Sequence, residues 1–298
     1  MKVTVLQTIG DGEFREGVYE VPEMGKDEIR VKNIMTGVCR SDIDMMVGNF
    51  GPLPLHMQGH EGLGMVVDVG TNVQGVQRSD IVATRGEPAY ADYYNCRNRE
   101  FVVVPEVHPK YILEPVACGI NVIQQSIKAI EARHGEDARM LILGSGFLAY
   151  VAYTYISLMG LDIDIDVVGN SNKELWGNRL KSQHSGQYNV VVDLSSSTDV
   201  FDKDMLHNEA LVIFGVEKTV TTNFSNLLWK ACTMIFPSPR SDGFYTAMEK
   251  ARDLIQGGHI NVDRFWTKCY NRNTEWRDAF RDGLNRPANY SRGYIVWD

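Results

Sequence analysis

Cysteine is scarce and unpaired in this sequence. Its five cysteines, Cys39, Cys96, Cys118, Cys232 and Cys269, are odd in number, far apart and never in a CxxC pair, which excludes a disulfide framework as the basis of the fold. The stretch Gly86 to Glu100 holds only Cys96, so a four-cysteine zinc knuckle cannot form there. Proline is limited to 10 of 298 residues, and there is no low-complexity tract, internal repeat or charge run; disordered, collagen-like and array architectures are excluded. Lys and Arg number 30 against 38 Asp and Glu, a net charge of −8, and the basic residues are scattered. No stripe exists to meet a nucleic-acid backbone. The longest apolar run, Phe147 to Leu161, is too short to span a bilayer and contains Tyr and Thr, and the opening MKVTVLQTIGDGEF has no apolar signal core. The expectation is a cytoplasmic protein without membrane or nucleic-acid partners.

What is present is an ordinary globular composition, 44% hydrophobic and 23% charged, on a chain long enough for about two domains. The first 120 residues read as strands and turns: Val3–Gln7, Glu28–Ile34, Gly62–Val69, Ile81–Ala83 and Phe101–Val104 are rich in Val, Ile and Met between Gly, Pro, Asn and Asp. From about Asn121 strands alternate with helices. A helix pattern (Val122, Ile123, Ile127, Ile130) leads to strand 140–143, helix 147–159, strand 163–168, a helix near 174–183, and strands 190–194 and 210–214. That alternation predicts a parallel, doubly wound sheet. After about Ser238 come an amphipathic helix over 244–256, a second helix over 276–284 and a closing strand over 292–297. This mixed tail is expected to return to the first domain. The division is therefore 1–120 with 239–298, and 121–238.

The segment Met140-Leu-Ile-Leu-Gly144-Ser145-Gly146-Phe147-Leu148-Ala149 is an apolar strand running into a Gly-x-Gly-x-x-Ala turn that opens a helix. In a dinucleotide site the first glycine permits the tight turn, the second lets backbone approach a pyrophosphate, and the helix N-terminus offers amides and partial positive charge. Gly144, Gly146, Phe147 and Leu148 are the candidate contacts; a plain strand-to-helix turn is the bland alternative. Past the next strand, where an acidic residue would bond the ribose 2′-OH of NAD, the chain reads Val168-Gly169-Asn170-Ser171-Asn172-Lys173. With the acid missing, the hydroxyl, amide and ammonium groups of Asn170, Ser171, Asn172 and Lys173 suit a 2′-phosphate and predict NADP over NAD, unless these residues merely cap the next helix.

A second constellation spans the β-rich half: Gly37-Val38-Cys39-Arg40-Ser41-Asp42 after one strand, Gly59-His60-Glu61-Gly62-Leu63-Gly64 before another, and Leu113-Glu114-Pro115 before the α/β segment. One thiol, one imidazole and two carboxylates are ligand types that a catalytic zinc uses three at a time, leaving a position open. Taken singly, Cys39 reads as a small buried hydrophobe, His60 as a turn histidine and Glu114 as a surface charge; the conjunction points to a metal.

These motifs, with EFVVVP at 100–105, LILGSG at 141–146 and SRGYIVWD at 291–298, occur in the order found in zinc-dependent medium-chain dehydrogenases/reductases, the alcohol and polyol dehydrogenase family, and the sequence resembles that family end to end. The resemblance implies a GroES-like β-barrel catalytic domain interrupted by a Rossmann domain. It implies Cys39 and His60 as zinc ligands, Glu61 as a glutamate that enters the metal shell in some members, Glu114 as third ligand with Cys118 as its rival, and Asp42 orienting His60. Arg40 and Arg292 fall where arginines meet the coenzyme pyrophosphate, and Ser41 where a hydroxyl passes the substrate proton outward. The implied activity is zinc-assisted hydride transfer between NADP(H) and an alcohol, aldehyde or ketone, in a homodimer. A dinucleotide-binding protein without turnover is the runner-up. The chain departs from the family in carrying Asp44 at the position of a relay histidine, in lacking the structural-zinc lobe and in being shorter. Phe50 and Tyr90 or Tyr93 are candidates for the walls of the remaining pocket.

Overall fold

The computed structural model describes residues 1–49, 58–195, 204–218 and 224–297. The chain divides into two compact units, Met1–Pro115 with Met248–Asp298, and Val116–Ala247.

In the first unit, β1 (Lys2–Gln7) pairs antiparallel with β2 (Arg15–Glu20). Then come β3 (Glu28–Gly37), helix α1 (Arg40–Met46), β4 (Gly62–Val69), β5 (Ile81–Thr84), β6 (Tyr93–Arg97) and β7 (Phe101–Val104). Along β3, buried Ile29, Val31 and Asn33 alternate with half-covered neighbours, the period of a strand with one face on a core. The following helix α2 (Glu114–Gln124) carries the chain into the second unit.

The second unit contains α3 (Ile127–Glu131), β8 (Arg139–Leu143), α4 (Phe147–Leu158), β9 (Asp164–Val168), α5 (Lys173–Trp176), β10 (Leu180–Lys181), β11 (Tyr188–Asp193), β12 (Leu206–Phe214), α6 (Phe224–Trp229) and β13 (Thr233–Ile235). Among the described residues its strands form one six-stranded parallel sheet in the order β10-β9-β8-β11-β12-β13. The central strands are nearly continuous runs of buried Met, Leu, Ile and Val, as a sheet covered on both faces requires. This is the doubly wound sheet expected from the strand-helix alternation.

The helix expected near 174–183 is not formed. It stops after one turn, because Gly177 takes φ +52 with ψ −130, outside the helical region. Leu180 and Lys181 then pair with Val167 and Val168 as the edge strand.

Helix α7 (Phe244–Gln256) returns the chain to the first unit, burying Ala247, Met248, Ala251 and Ile255 at helical spacing. There β14 (Trp266–Asn271), α8 (Trp276–Asn285) and β15 (Arg292–Val296) complete the sheet β14-β15-β3-β4-β5-β7, with β6 also on β3. The strand at the end of the sequence thus lies beside β3 in the first half, through Tyr294↔Gly37 and Val296↔Met35. Phe14, Ile43, Tyr90, Trp276, Phe280, Ile295 and Trp297 share one core, which ties the two ends of the chain together.

Candidate functional site

Strands β3 and β4 are antiparallel neighbours, with Thr36 opposite Gly62 and Met35 opposite Leu63. That register sets the residues just after β3 beside those just before β4, and the Gly37 N–H donates to the Glu61 carbonyl at 2.9 Å. In consequence the Cys39 thiol, the His60 ring and the Glu61 carboxylate meet, each with one ligand atom within 4.8 Å of the others. Among the described residues this is the one group of three such side chains able to hold a metal ion.

Asp42 lies behind the group. It is the third residue of α1 and fully buried, and its Oδ2 accepts the Cys39 N–H at 3.0 Å, closing the first turn. Its Oδ1 sits 3.7 Å from Nδ1 of His60 and accepts no hydrogen bond. Burial raises the Asp42 carboxyl above its usual range, though His60 opposes it. Burial also acts to depress the imidazolium of His60, but the Asp42 and Glu114 carboxylates and the Cys39 thiol outweigh it and hold the imidazole well above its usual pKa. Burial and Glu61 push the Cys39 thiol up, against the pull of His60.

Glu114 begins α2 and is buried close enough to act on His60, but it stands outside the three-residue group. Cys118, one turn further along α2, belongs to the second unit. Glu61 is fully buried, and both of its carboxylate oxygens lie 2.5 Å from the guanidinium of Arg292. The same guanidinium stands 5.0 Å over the ring of Trp266. Arg40 instead pairs with Asp44 one turn along α1, at 3.0 Å, and Ser41 is half-buried in the same first turn. The pocket-wall expectation fails for Tyr90, which has no exposed surface and lies in the core. Its hydroxyl donates to Asp42 Oδ2 at 2.7 Å, a contact that no motif in the sequence signals. Tyr93 is half-buried on β6, and Phe50 lies outside the described residues.

In the second unit the glycine turn is built as its sequence suggests. Gly144 has φ +104, and a Cβ there would come within 2.7 Å of the Leu194 carbonyl oxygen. A Cβ on Gly146 would meet nothing within 4 Å, and Gly146, as the N-cap residue, gives the 12-residue helix α4 no side-chain cap. Phe147 is buried and Leu148 half-buried on that first turn.

The loop after β9 is tied back to the turn. Ser145 Oγ accepts the Ser171 N–H at 2.9 Å and lies 3.1 Å from the Ser171 hydroxyl, and the Ser145 carbonyl accepts from Asn172 Nδ2 at 3.0 Å and from the Trp176 indole N–H at 3.1 Å. Ser171 and Asn172 thus spend hydrogen bonds on the turn, whereas Asn170 and Lys173 are exposed. Trp176 carries no sequence signal for this role. Nor does Asp193, buried at the end of β11, where it accepts from the Ser195 N–H and hydroxyl and pairs with Lys218.

A family model described as the alcohol dehydrogenase GroES-like domain matches residues 25–107. An alcohol dehydrogenase of Moraxella sp. (strain TAE123) is 26% identical over 200 residues, which are 56% of this chain and 58% of that protein. The alignable chain thus spans less than two thirds of that relative's length. Among solved structures, S. aureus TarJ in complex with NADPH superposes with a TM-score of 0.77 at 18% identity, covering all of both chains. A cobalt- and zinc-bound thermostable alcohol dehydrogenase from Pyrobaculum aerophilum does so with a TM-score of 0.76 at 14% identity, again covering all of both chains. At these identities the structural likeness is one of fold.

Proposed function

We propose that this chain is a member of the medium-chain dehydrogenase/reductase family and a zinc-dependent oxidoreductase moving hydride between NADP(H) and a small alcohol, aldehyde or ketone, a reading supported by the match of residues 25–107 to the alcohol dehydrogenase GroES-like domain. The observation that carries this reading is the meeting of Cys39, His60 and Glu61 at one end of β3 and β4, with a buried carboxylate oxygen of Asp42 held for His60 and taken by no hydrogen-bond donor. A protein that only binds a dinucleotide has no need of a thiol, an imidazole and a carboxylate converging in its other unit.

The residues fit zinc by donor type and spacing. Cys39 and His60 would hold it, with Glu61 or Glu114 as the third ligand and Asp42 fixing the ring of His60 from behind. When bound, zinc supplies a Lewis acid that makes an alcohol proton easier to lose and a carbonyl easier to reduce. Ser41, half-buried in the first turn of α1, would take up or return that proton on its way to solvent, and Arg292 would offset the charge of Glu61 so that the group does not carry an excess of negative charge.

For the coenzyme, the N-terminus of α4 and the glycine turn Gly144–Gly146 would take the pyrophosphate. Asn170, Ser171, Asn172 and Lys173 would take the 2′-phosphate, with no acidic residue among them to repel it. Reduction of a carbonyl is the direction that a preference for NADPH implies.

The test is zinc analysis of the purified chain together with a screen of NADPH oxidation on aldehydes and ketones. About one zinc per chain with turnover that Cys39→Ser removes is the expected result. Tight NADPH binding with neither zinc nor turnover would favour the binding-protein reading instead.

A further inference from the structure

We infer that Tyr90 is a positioning residue for the metal centre, acting through Asp42 on both Cys39 and His60; the inference rests on the metal-site reading above. The two oxygens of Asp42 are used unequally. Oδ2 takes the Tyr90 hydroxyl at 2.7 Å and the Cys39 N–H at 3.0 Å, while Oδ1, equally buried and without a hydrogen-bond donor, faces His60 Nδ1 at 3.7 Å. A carboxylate with one donor could turn about its Cβ–Cγ bond. Two donors from different directions fix its plane and keep the second oxygen aimed at the imidazole.

Tyr90 is itself held. Its ring stands edge-on to Phe14 and Phe280, with centroids 5.7 and 5.3 Å away, and those two rings stack on each other at 3.7 Å. It also touches both ligand-bearing segments. On the Cys39 side its hydroxyl reaches Asp42 and, at 3.2 Å, the Gly37 carbonyl. On the His60 side its ring and backbone nitrogen lie against Gly59, the residue before the histidine, so closely that a Cβ there would be 2.7 Å from both. The neighbouring Ala89 N–H donates to the Gly59 carbonyl at 2.8 Å. A tyrosine that only filled the core could satisfy its hydroxyl anywhere. This one satisfies it on the carboxylate that faces the candidate ligand, and its ring sets the distance between the two segments.

The prediction is read from metal affinity, with no need of turnover. Zinc is titrated into the full metal-free chain in competition with a chromophoric chelator, and cobalt(II) absorption is recorded in parallel. Tyr90→Phe keeps the ring and its packing and removes only the hydroxyl. Its Kd for zinc is expected to rise about tenfold or more, with an altered cobalt spectrum and a metal-free melting temperature near that of the parent. In the Tyr90→Phe/Asp42→Asn double variant the loss should be little greater than in Asp42→Asn alone, because both act through one carboxylate. A Kd within twofold of the parent, or losses that simply add, overturns the inference. If Tyr90→Phe does not fold, Phe280→Leu loosens the ring and keeps every polar group; a severalfold weaker Kd supports the inference and an unchanged one overturns it. A parent chain that binds no zinc removes the metal reading first and the role of Tyr90 with it, and that result is visible before any variant is made.

Discussion

The guanidinium of Arg292 lies 2.5 Å from each carboxylate oxygen of Glu61, a residue 231 positions earlier in the chain, and the carboxylate has no exposed surface. This contact joins β15 to the turn before β4, and so links the closing strand directly to the group formed by Cys39, His60 and Glu61. Burial alone would weaken the charge of Arg292, but Glu61 and Cys39 reverse that and raise its pKa. Removing one partner of such a pair strands the other without compensation. Arg292→Ala is therefore expected to destabilise the protein by about 3 kcal/mol, read by chemical denaturation of the metal-free chain. Arg292→Ala/Glu61→Gln should recover part of that loss. A single variant as stable as the parent would show that the fold does not depend on the pairing of Glu61 with Arg292.

Gly59 gives a second measurable constraint. Its φ of +79 and the 2.7 Å approach of the Tyr90 backbone nitrogen to any added Cβ leave room for no side chain. Gly59→Ala should cost about 1–3 kcal/mol in stability from the backbone conformation alone, and more if Tyr90 is displaced. A variant melting with the parent would mean that the segment before His60 can shift freely, and would weaken the case that this turn fixes the histidine.

These two contacts also mark where the sequence stops being readable. The strands at 62–69 and 101–104 and the helix at 244–256 have the bounds that their apolar periodicity predicts. The glycine turn is legible because each glycine answers a local backbone demand. Strand β2 escaped notice because REGVYE is largely solvent-facing and offers no apolar face. The helix expected near 174–183 failed because one glycine adopted a conformation that propensity does not specify. In the site, residue types and order suggested Cys39, His60 and Glu61, whereas the hydroxyl of Tyr90 on Asp42 and the clamp of Arg292 on Glu61 come from chain segments 48 and 231 residues away. Partners at that separation leave no periodic trace in a single sequence.

Coenzyme choice should rest on Lys173 more than on the residues beside it. Ser171 and Asn172 already donate to Ser145, while Lys173 is exposed and makes no ion pair among the described residues. Lys173→Ala is expected to weaken NADPH binding by about tenfold, the scale of one charge-assisted contact, and to leave NADH binding nearly unchanged. Titration of Trp176 fluorescence, whose indole N–H is bonded to the turn, offers a direct readout. Equal losses for both coenzymes would remove Lys173 from the 2′-phosphate site.

Metal uptake should depend on pH in a direction fixed by the environment of the ligands. Cys39 must bind as thiolate and His60 as neutral imidazole. In the metal-free chain burial and Glu61 raise the thiol pKa. Burial works to lower that of His60, but Asp42 and Glu114 carry it above the ordinary value. Both shifts favour the protonated forms, whose protons must be released on binding. Apparent zinc affinity should then climb with pH, by about tenfold per pH unit for each proton released. Chelation should lower the melting temperature of the parent, and added zinc should restore it by mass action. Cys39→Ser should show no such zinc-dependent shift. A parent whose zinc affinity stays flat between about pH 6 and pH 8, where ligands that keep their protons until the metal arrives must release them on binding, would mean that Cys39 and His60 are not the pair that takes the metal.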